Sequence, residues 1–299
     1  MKKLLIAGGT GFLGQALEAY FQQRGDQVTI LTRNPRAENH RHWNGEDLGE
    51  WTAEIEKADV VINLTGKSVD CRYTEANRAK ILRSRVASTQ ALGQAIAAAD
   101  CPPAVWLNAS SATIYVHADQ QRMTEATGII GDDFSMSVCK SWEETFFGFN
   151  LPRTRQVALR TSIVLGKNGG AFSKMKAITR LGLGGPQGSG MQWMSWIHLT
   201  DFCRAVEHLI DHEIEGAVNV TAPQPVRNRT FMRHLRSALN VPVGIPQPVA
   251  LLEVGAWLLG TETELLLKSR NVVPERLLAS GFAFRFENAK GALRDLISG

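Results

Sequence analysis

Cysteine is scarce in this sequence. Its four copies stand far apart and form no C-x-x-C pair; they are Cys71, Cys101, Cys139 and Cys203. Neither a disulfide framework nor a zinc site is predicted, because each needs cysteines at matched spacings. His40 and His42 have no third ligand nearby, so we interpret them as surface histidines and predict no metal site.

Long apolar runs are also missing. No stretch reaches the length of a membrane span, and the N-terminal segment lacks the apolar length and the cleavage pattern of a signal peptide. With thiols that suit a reducing compartment, these absences predict a cytoplasmic protein with no membrane partner.

Basic runs are absent as well, although the net charge is +4. The 33 lysines and arginines are scattered, and no basic run carries interleaved aromatic residues. We therefore expect no nucleic-acid partner and interpret the basic residues as solvated surface, with some serving phosphates. A chain of 299 residues with 44% hydrophobic and 21% charged residues has the composition of a globular protein with a substantial core.

The sequence does contain a glycine motif, GGTGFLG at residues 8–14. An apolar run precedes it and a helix-like pattern follows, which predicts a strand, a tight turn and a helix. Such a turn lets a dinucleotide diphosphate approach unpaired N–H groups at the positive end of the helix. A Cβ at Gly8 or Gly11 would block that approach, and Gly14 would let the helix lie close to the strand.

The residues after the second predicted strand, 27–32, indicate which dinucleotide is bound. An NAD site usually has Asp or Glu at this point for the ribose 2′-hydroxyl, whereas this chain has Thr32 followed by Arg33. A guanidinium pairs well with a 2′-phosphate, so we predict NADP(H). The alternative is that Arg33 lies on a solvent-exposed turn.

Strands and helices alternate through the first half of the chain. Apolar strands are predicted at 58–66 and 104–111, helices at 73–99 and 135–147, and a strand at 156–165. This alternation predicts a doubly wound, Rossmann-like parallel α/β sheet with helices on both faces. Ligands of such sheets lie at the carboxyl ends of the strands, so residues 63–66 should border the diphosphate.

The second half of the chain is less regular. Residues 182–190 hold five glycines and a proline, which predicts a loop, and prolines punctuate the segments that follow. We predict an NADP-binding domain at 1–168 and a smaller C-terminal α/β substrate lobe at 169–299 that folds over the strand ends.

Four motifs in this order resemble those of the extended short-chain dehydrogenase/reductases, many of which are nucleotide-sugar epimerases and dehydratases. They are GGTGFLG at 8–14, NLTG at 63–66, SSATIY at 110–115 and WIHLTD at 196–201. Three further segments look like the atypical epimerase-like subfamily with its C-terminal extension; they are 160–166, 183–190 and 273–282. The resemblance covers essentially the whole chain.

The resemblance implies a set of cofactor-binding residues. The diphosphate would be held by Gly8, Thr10, Gly11, Phe12 and Leu13. The rest of the site would be formed by Thr32, Arg33, Asn63, Leu64, Gly66, Arg85 and Ile163. Thr32 and Arg33 would hold the adenosine end, and Ile163 would lie beside the nicotinamide.

The same resemblance implies a catalytic serine and a Tyr-x-x-x-Lys helix, in which the tyrosine exchanges a proton with the substrate. Ser111 fits the serine and Lys140 fits the lysine, but Met136 stands in the tyrosine position and cannot transfer a proton. Of the three tyrosines in the chain, Tyr115 is the best remaining acid. The alternatives for Tyr115 are packing or substrate contact, and Lys140 could be a solvated helix lysine.

Two further pairs of residues leave alternatives open. His198 and Asp201 could form an acid and base pair, but their spacing at a helix start favours a cap and an anchored turn. Trp193 and Trp196 could stack on a substrate ring or pack in the core or a lid.

We therefore expect an NADP(H)-binding oxidoreductase or epimerase-like enzyme that acts on a sugar-like or carbonyl small molecule as a monomer or homodimer. The alternative, favoured by Met136, is a cofactor-binding sensor or partner protein with weakened catalysis.

Overall fold

The fold is built on strands that the glycine motif and the apolar runs predict. The computed structural model describes residues 1–253, 262 and 267–298. Its strands are β1 (Lys3–Ala7), β2 (Gln27–Thr32), β3 (His40–His42), β4 (Val60–Asn63), β5 (Val105–Ser111), β6 (Arg155–Thr161), β7 (Ile163–Leu165), β8 (Trp193–Met194), β9 (Trp196–His198), β10 (Gly216–Val220) and β11 (Val226–Arg227).

The helices described between and after these strands range from 5 to 24 residues in length. They are α1 (Phe12–Gln23), α2 (Glu75–Ala98), α3 (Phe134–Phe147), α4 (Gly170–Ile178), α5 (Leu199–Asp211), α6 (Asn228–Ala238), α7 (Glu275–Ala279) and α8 (Ala289–Ser298). Short 3₁₀ turns occupy Glu50–Lys57 and Ala112–Ile114. Within the described residues, no helix is long and apolar enough to cross a membrane.

Seven strands form one parallel sheet in the order β10-β6-β5-β4-β1-β2-β3. The predicted doubly wound α/β fold is therefore confirmed. Because neighbours are parallel, the carboxyl ends of β1, β2, β4 and β5 lie at the same edge of the sheet. The predicted turns at 8–14 and 63–66 and the serine at 111 all lie at that edge.

Apolar side chains cover both faces of the sheet. Side chains alternate between the faces along a strand, so Leu4 and Ile6 lie in one core cluster while Leu5 and Ala7 lie in another. Each fully buried Leu or Ile stabilises the fold by about 1.5–3 kcal/mol relative to an exposed one. This double burial explains why the strands read as continuous apolar runs.

Two elements differ from the sequence prediction. The polar segment after β2 contains β3, which pairs with β2 from Ile30–His40 to Thr32–His42 at the edge of the sheet. It was missed because a short edge strand needs little apolar surface. The predicted strand 156–165 is two strands, since β7 leaves the main sheet and pairs with β9.

A third core cluster lies in the second half of the chain. It joins Phe172 of α4, Trp196 of β9, Phe231 of α6 and Leu293 of α8, all fully buried. Trp196 is thus a core residue rather than a residue that stacks on a ligand. Strand β10 from this half completes the main sheet beside β6, so the two halves are intertwined and the division at 168/169 stays a prediction.

Candidate cofactor-binding and active site

The glycine turn after β1 is shaped partly by the protein itself. Gly8 has a positive φ of 75°, and a Cβ there would lie 3.0 Å from the backbone of Leu64 and Thr65. A Cβ at Gly14 would lie 2.4 Å from the backbone of Gly9. At Gly11 the nearest such atom is 3.5 Å away, in ordinary contact. Of these three glycines, only Gly11 leaves its space to a ligand.

The N-terminus of α1 is uncapped. Gly11 supplies no side-chain hydrogen bond to the helix, and no acidic residue lies in its first turn. The first N–H groups of a helix have no partner within it, and they carry partial positive charge. Phe12 and Leu13 therefore present backbone N–H groups. The ring of Phe12 packs against the segment around Gly169 instead, where a Cβ would lie 2.5 Å from it.

A cavity of about 870 Å³ opens at this turn. Its walls come from the ends of β1, β2 and β4, from residues 43–46 after β3, and from α2. The implied cofactor residues that line it are Gly8, Thr10, Gly11, Thr32, Arg33, Leu64 and Gly66. This position outside the carboxyl ends of the strands is where α/β sheets bind ligands.

Positive charge dominates the wall of the cavity. The lining contains Arg33, Lys67, Lys80 and Arg83, whereas Glu46 is the one carboxylate among the lining residues that the structure describes. Glu46 Oε2 pairs with Arg83 Nη2 at 2.6 Å. Within the described residues no carboxylate lies in ion-pair distance of the other three cations. The cavity therefore suits a ligand with several phosphates.

The wall at the end of β2 is held by backbone hydrogen bonds. The Thr32 carbonyl accepts from Trp43 N–H at 2.9 Å, and Thr32 Oγ1 accepts from Asn34 N–H at 3.3 Å. The Trp43 indole is buried and donates to the Asp47 carbonyl at 3.0 Å. Arg33 follows Thr32 into the cavity as an exposed side chain.

Asn63 holds the turn after β4 from within the core. Its Nδ2 donates to Asn108 Oδ1 at 2.7 Å and to Thr89 Oγ1 at 3.2 Å, and its Oδ1 accepts from Thr65 N–H at 3.0 Å. The side chain is fully buried and does not line the cavity. Asn63 therefore positions Leu64 and Gly66, which do.

Arg85 supports the same turn from behind. Its guanidinium donates to the carbonyls of Lys67 and Ile81, both at 3.0 Å, and lies 5.0 Å above the Trp142 ring. A Cβ at Gly66 would lie 3.2 Å from the guanidinium carbon. Burial lowers the pKa of Arg85. Arg85 is outside the cavity lining, and Ile163, which is half-buried in β7, is also outside it.

Ser111 ends β5 and is half-buried. Its Oγ accepts hydrogen bonds from the Thr113 N–H at 3.2 Å and from the Thr113 hydroxyl at 3.0 Å. Thr113 Oγ1 in turn lies 3.5 Å from the sulfur of Cys139 on α3. No local sequence pattern links Thr113 to Cys139, because 26 residues separate them.

Tyr115 is fully buried. Its hydroxyl donates to Asn219 Oδ1 at 2.9 Å and accepts from Arg160 Nη1 at 2.8 Å. Burial raises the pKa of Tyr115 above its ordinary value. A hydroxyl held on both sides in the core has no route to a substrate, so this geometry does not support the prediction of Tyr115 as the proton donor.

The helix with the implied tyrosine and lysine positions is α3. Met136 is buried, and its sulfur packs where a Cβ of Gly131 would lie, at 2.3 Å. Lys140 Nζ pairs with Asp132 Oδ1 at 2.6 Å, and this hydrogen bond raises the pKa of Lys140. In this arrangement Lys140 contacts Asp132, and its role toward a cofactor stays a prediction.

His198 and Asp201 both anchor α5. His198 Nδ1 accepts from Thr200 N–H at 3.1 Å, which caps the helix. The Asp201 carboxylate accepts from the N–H groups of Arg285 and Phe286 at 2.9 and 2.8 Å. These contacts match the cap and anchored turn and not an acid and base pair. No group of three metal-ligating side chains is present in residues 1–253, 262 and 267–298.

Family models and relatives in other organisms match most of this chain. The model of the NAD dependent epimerase/dehydratase family matches residues 4–133, and a domain of unknown function matches residues 248–296. An epimerase family protein of Staphylococcus epidermidis is 34% identical over 303 residues, covering 99% of each chain. The Bos taurus epimerase family protein SDR39U1 is 34% identical over 308 residues, covering 99% of this chain and 100% of the relative.

Solved structures of epimerases share the fold of this chain. The human epimerase family protein SDR39U1, crystallised with NADPH, has a TM-score of 0.90 and 31% identity over 99% of both chains. A nucleoside-diphosphate sugar epimerase from Corynebacterium glutamicum has a TM-score of 0.81 at 24% identity; it covers 99% of this chain and 58% of its own, and shows the fold alone. Full-length identity above 30% together with the shared fold shows that this chain belongs to the epimerase family.

Proposed function

We propose that this protein binds NADP(H) in the cavity beside the glycine turn. The observation that carries the proposal is the pairing of an uncapped helix N-terminus with three cations that lack carboxylate partners among the described residues. The diphosphate would meet the N–H groups after Gly11, and Arg33 would meet the 2′-phosphate. The human relative crystallised with NADPH supports this choice of cofactor.

We further propose that the protein is an epimerase-like oxidoreductase that acts on a carbonyl or hydroxyl group of a small, sugar-like molecule. NADP(H) would supply hydride exchange at the nicotinamide. Ser111 is the residue of this chain that would hold the reacting oxygen, because it ends β5 at the same edge of the sheet as the glycine turn. The cations of α2 and of the 66–68 turn would keep the cofactor in place.

A second candidate is a cofactor-binding sensor with little or no catalysis. Met136 favours it, because a thioether in the position of the implied tyrosine cannot donate a proton. The engagement of Tyr115 with Arg160 and Asn219 points the same way, because it occupies the hydroxyl of the substitute acid that the sequence offers.

Cofactor binding is tested by titrating NADPH and NADH while following tryptophan fluorescence. We expect NADPH to bind at least about tenfold more tightly, a difference of ~1.4 kcal/mol. Arg33→Asp should abolish the preference. Arg36→Asp is the matched control, because Arg36 lies on the same loop outside the cavity lining. Equal affinities in the wild type would refute the 2′-phosphate assignment.

The two candidate functions are separated by turnover. Wild type, Ser111→Ala and Tyr115→Phe would be tested with NADPH against carbonyl compounds and with NADP against nucleotide sugars. The enzyme proposal expects turnover that Ser111→Ala reduces and Tyr115→Phe spares. The sensor proposal expects tight NADPH binding and no turnover of any compound in the panel.

A further inference from the structure

Three side chains, Cys139, Thr113 and Ser111, form a hydrogen-bond chain that ends at Ser111. Thr113 Oγ1 lies 3.0 Å from Ser111 Oγ and 3.5 Å from Cys139 Sγ, and the Thr113 backbone N–H lies 3.2 Å from Ser111 Oγ. Cys139 is buried on α3, three residues after Met136 and therefore on nearly the same side of the helix. The chain thus reaches the strand end from the part of α3 where a tyrosine is missing.

The donors and acceptors of this hydrogen-bond chain can be counted. A serine hydroxyl has two lone pairs and one proton. Both lone pairs of Ser111 are used by Thr113, through its N–H and its hydroxyl. Only the Ser111 proton remains, and no acceptor within the described residues takes it. Ser111 is therefore arranged as a hydrogen-bond donor, and the residue is half-buried at the end of β5.

The same count shows which side chain donates in each hydrogen bond of the series. The single hydroxyl proton of Thr113 goes to Ser111, so its oxygen is free to accept from the Cys139 S–H. Burial raises the pKa of Cys139, which keeps the thiol protonated and able to donate. Each donor in such a chain polarises the next, which strengthens the terminal hydroxyl as a donor.

We propose that Cys139 and Thr113 are positioning residues that hold Ser111 as a hydrogen-bond donor, so that the site recognises an acceptor oxygen such as a carbonyl. Ser111 then has no lone pair for the proton of a substrate hydroxyl. This hydrogen-bond chain would orient the reacting oxygen from the side of α3 on which Met136 stands and cannot donate a proton. The recognition of a substrate oxygen by Ser111 rests on the proposed function, whereas the hydrogen-bond chain does not.

Infrared spectroscopy of the full-length protein tests the chain, because the thiol S–H stretch is shifted to lower wavenumber when the thiol donates. Cys139→Ser assigns the band by removing it, and Cys203→Ser should leave it in place. Thr113→Val should move the Cys139 band to higher wavenumber, whereas Thr113→Ser should restore the wild-type position. An unchanged band in Thr113→Val would overturn the proposal.

Ser111→Ala tests the direction of the chain. Without the Ser111 oxygen, the Thr113 hydroxyl should turn toward the Cys139 sulfur, and the S–H band should again move to higher wavenumber. A band that stays in place would mean that Thr113 does not donate to Ser111 in the wild type, which contradicts the proposal. Ser137→Ala on the same helix is the control, because its hydroxyl donates to the Asp132 carbonyl instead.

NADPH titration of the same variants separates this inference from the proposed function. Thr113 and Cys139 lie outside the cavity lining, so Thr113→Val should bind NADPH as the wild type does. Failure of the wild type to bind NADPH would refute the proposed function and leave the infrared result intact. An unmoved S–H band with normal NADPH binding would refute the hydrogen-bond chain alone.

Discussion

Arg160 forms a two-pronged ion pair with Glu143 inside the protein. Nε donates to Oε1 at 2.8 Å and Nη2 donates to Oε2 at 2.7 Å, with side chains that are 8% and 10% exposed. Ser110 also donates to the Glu143 carboxylate, at 2.6 Å, and the third prong of Arg160 reaches Tyr115. This network joins β5, β6 and α3.

The buried pair should respond sharply to the loss of one partner. Glu143→Gln removes the charge that compensates Arg160 and should lower the free energy of unfolding by about 3–5 kcal/mol. Urea unfolding followed by circular dichroism measures this change. Glu144→Gln, an exposed neighbour on α3, should change it by less than about 0.5 kcal/mol. Equal effects of the two substitutions would argue against the network.

Two glycines of the turn should behave differently. Gly8→Ala forces a side chain into a positive φ beside the 64–65 backbone, so it should destabilise the protein by about 1–3 kcal/mol even without cofactor. Gly11→Ala meets no close atom and should cost less than about 1 kcal/mol. Its methyl group would occupy the space assigned to the diphosphate, so NADPH binding should weaken at least about tenfold.

Thermal unfolding without cofactor and NADPH titration together check this pair. If Gly11→Ala binds NADPH normally, the diphosphate does not lie against this turn. If Gly8→Ala is as stable as the wild type, the close approach of residues 64 and 65 does not constrain the turn.

Glu46 should oppose cofactor binding. Among the described residues it is the one carboxylate in the cavity lining, and it pairs with Arg83. Glu46→Gln should tighten NADPH binding by about two- to fivefold, or roughly 0.4–1 kcal/mol, because it removes a repulsive charge and releases a cation. The gain should shrink at high salt. Glu50→Gln alters net charge equally but lies outside the lining, and it should have no such effect.

His198 should make stability depend on pH. Burial lowers its pKa below 6.5, although Asp295 and Asp201 favour its charged form and Arg285 opposes it. As the pH falls below about 6.5, the unfolded chain therefore binds more protons than the folded protein does. The stability that neutral His198 provides is complete above this pH, is lost as the pH falls, and levels off below the folded pKa.

The prediction is checked with His198→Asn, since asparagine also caps helices. Stability measured from about pH 7.5 to about pH 5 should fall less steeply in the variant than in the wild type. Burial also lowers the pKa values of His208 and His234, so part of the slope should remain. Identical slopes would show that His198 does not titrate in this range.

The parallel sheet and the turns at its edge could be predicted because their signals are local. An apolar run followed by GGTGFLG specifies a strand, a turn and a helix within 23 residues. Lys80, Arg83 and Glu46 could not be assigned in this way. Polar and apolar residues are not separated on opposite faces of α2, so its sequence does not indicate which cations face the cavity.

The roles of the polar residues depended still more on packing. Asn63 was predicted to line the site and instead holds the turn from the core, because its amide pairs with Asn108 on the next strand. Tyr115 was the best available acid by elimination, and Arg160 of β6 and Asn219 of β10 engage its hydroxyl. Partners so distant in the chain leave no local pattern.

By itself, the sequence determined the fold, the glycine turn and the absence of a tyrosine at position 136, since each follows from residue types at short spacings. Only the tertiary structure decided which cations face the cavity and that Thr113 and Cys139 stand behind Ser111. The physical reason is that hydrogen bonds and ion pairs require atoms within about 3–3.5 Å of each other, and only the folding of the chain sets such distances between remote residues.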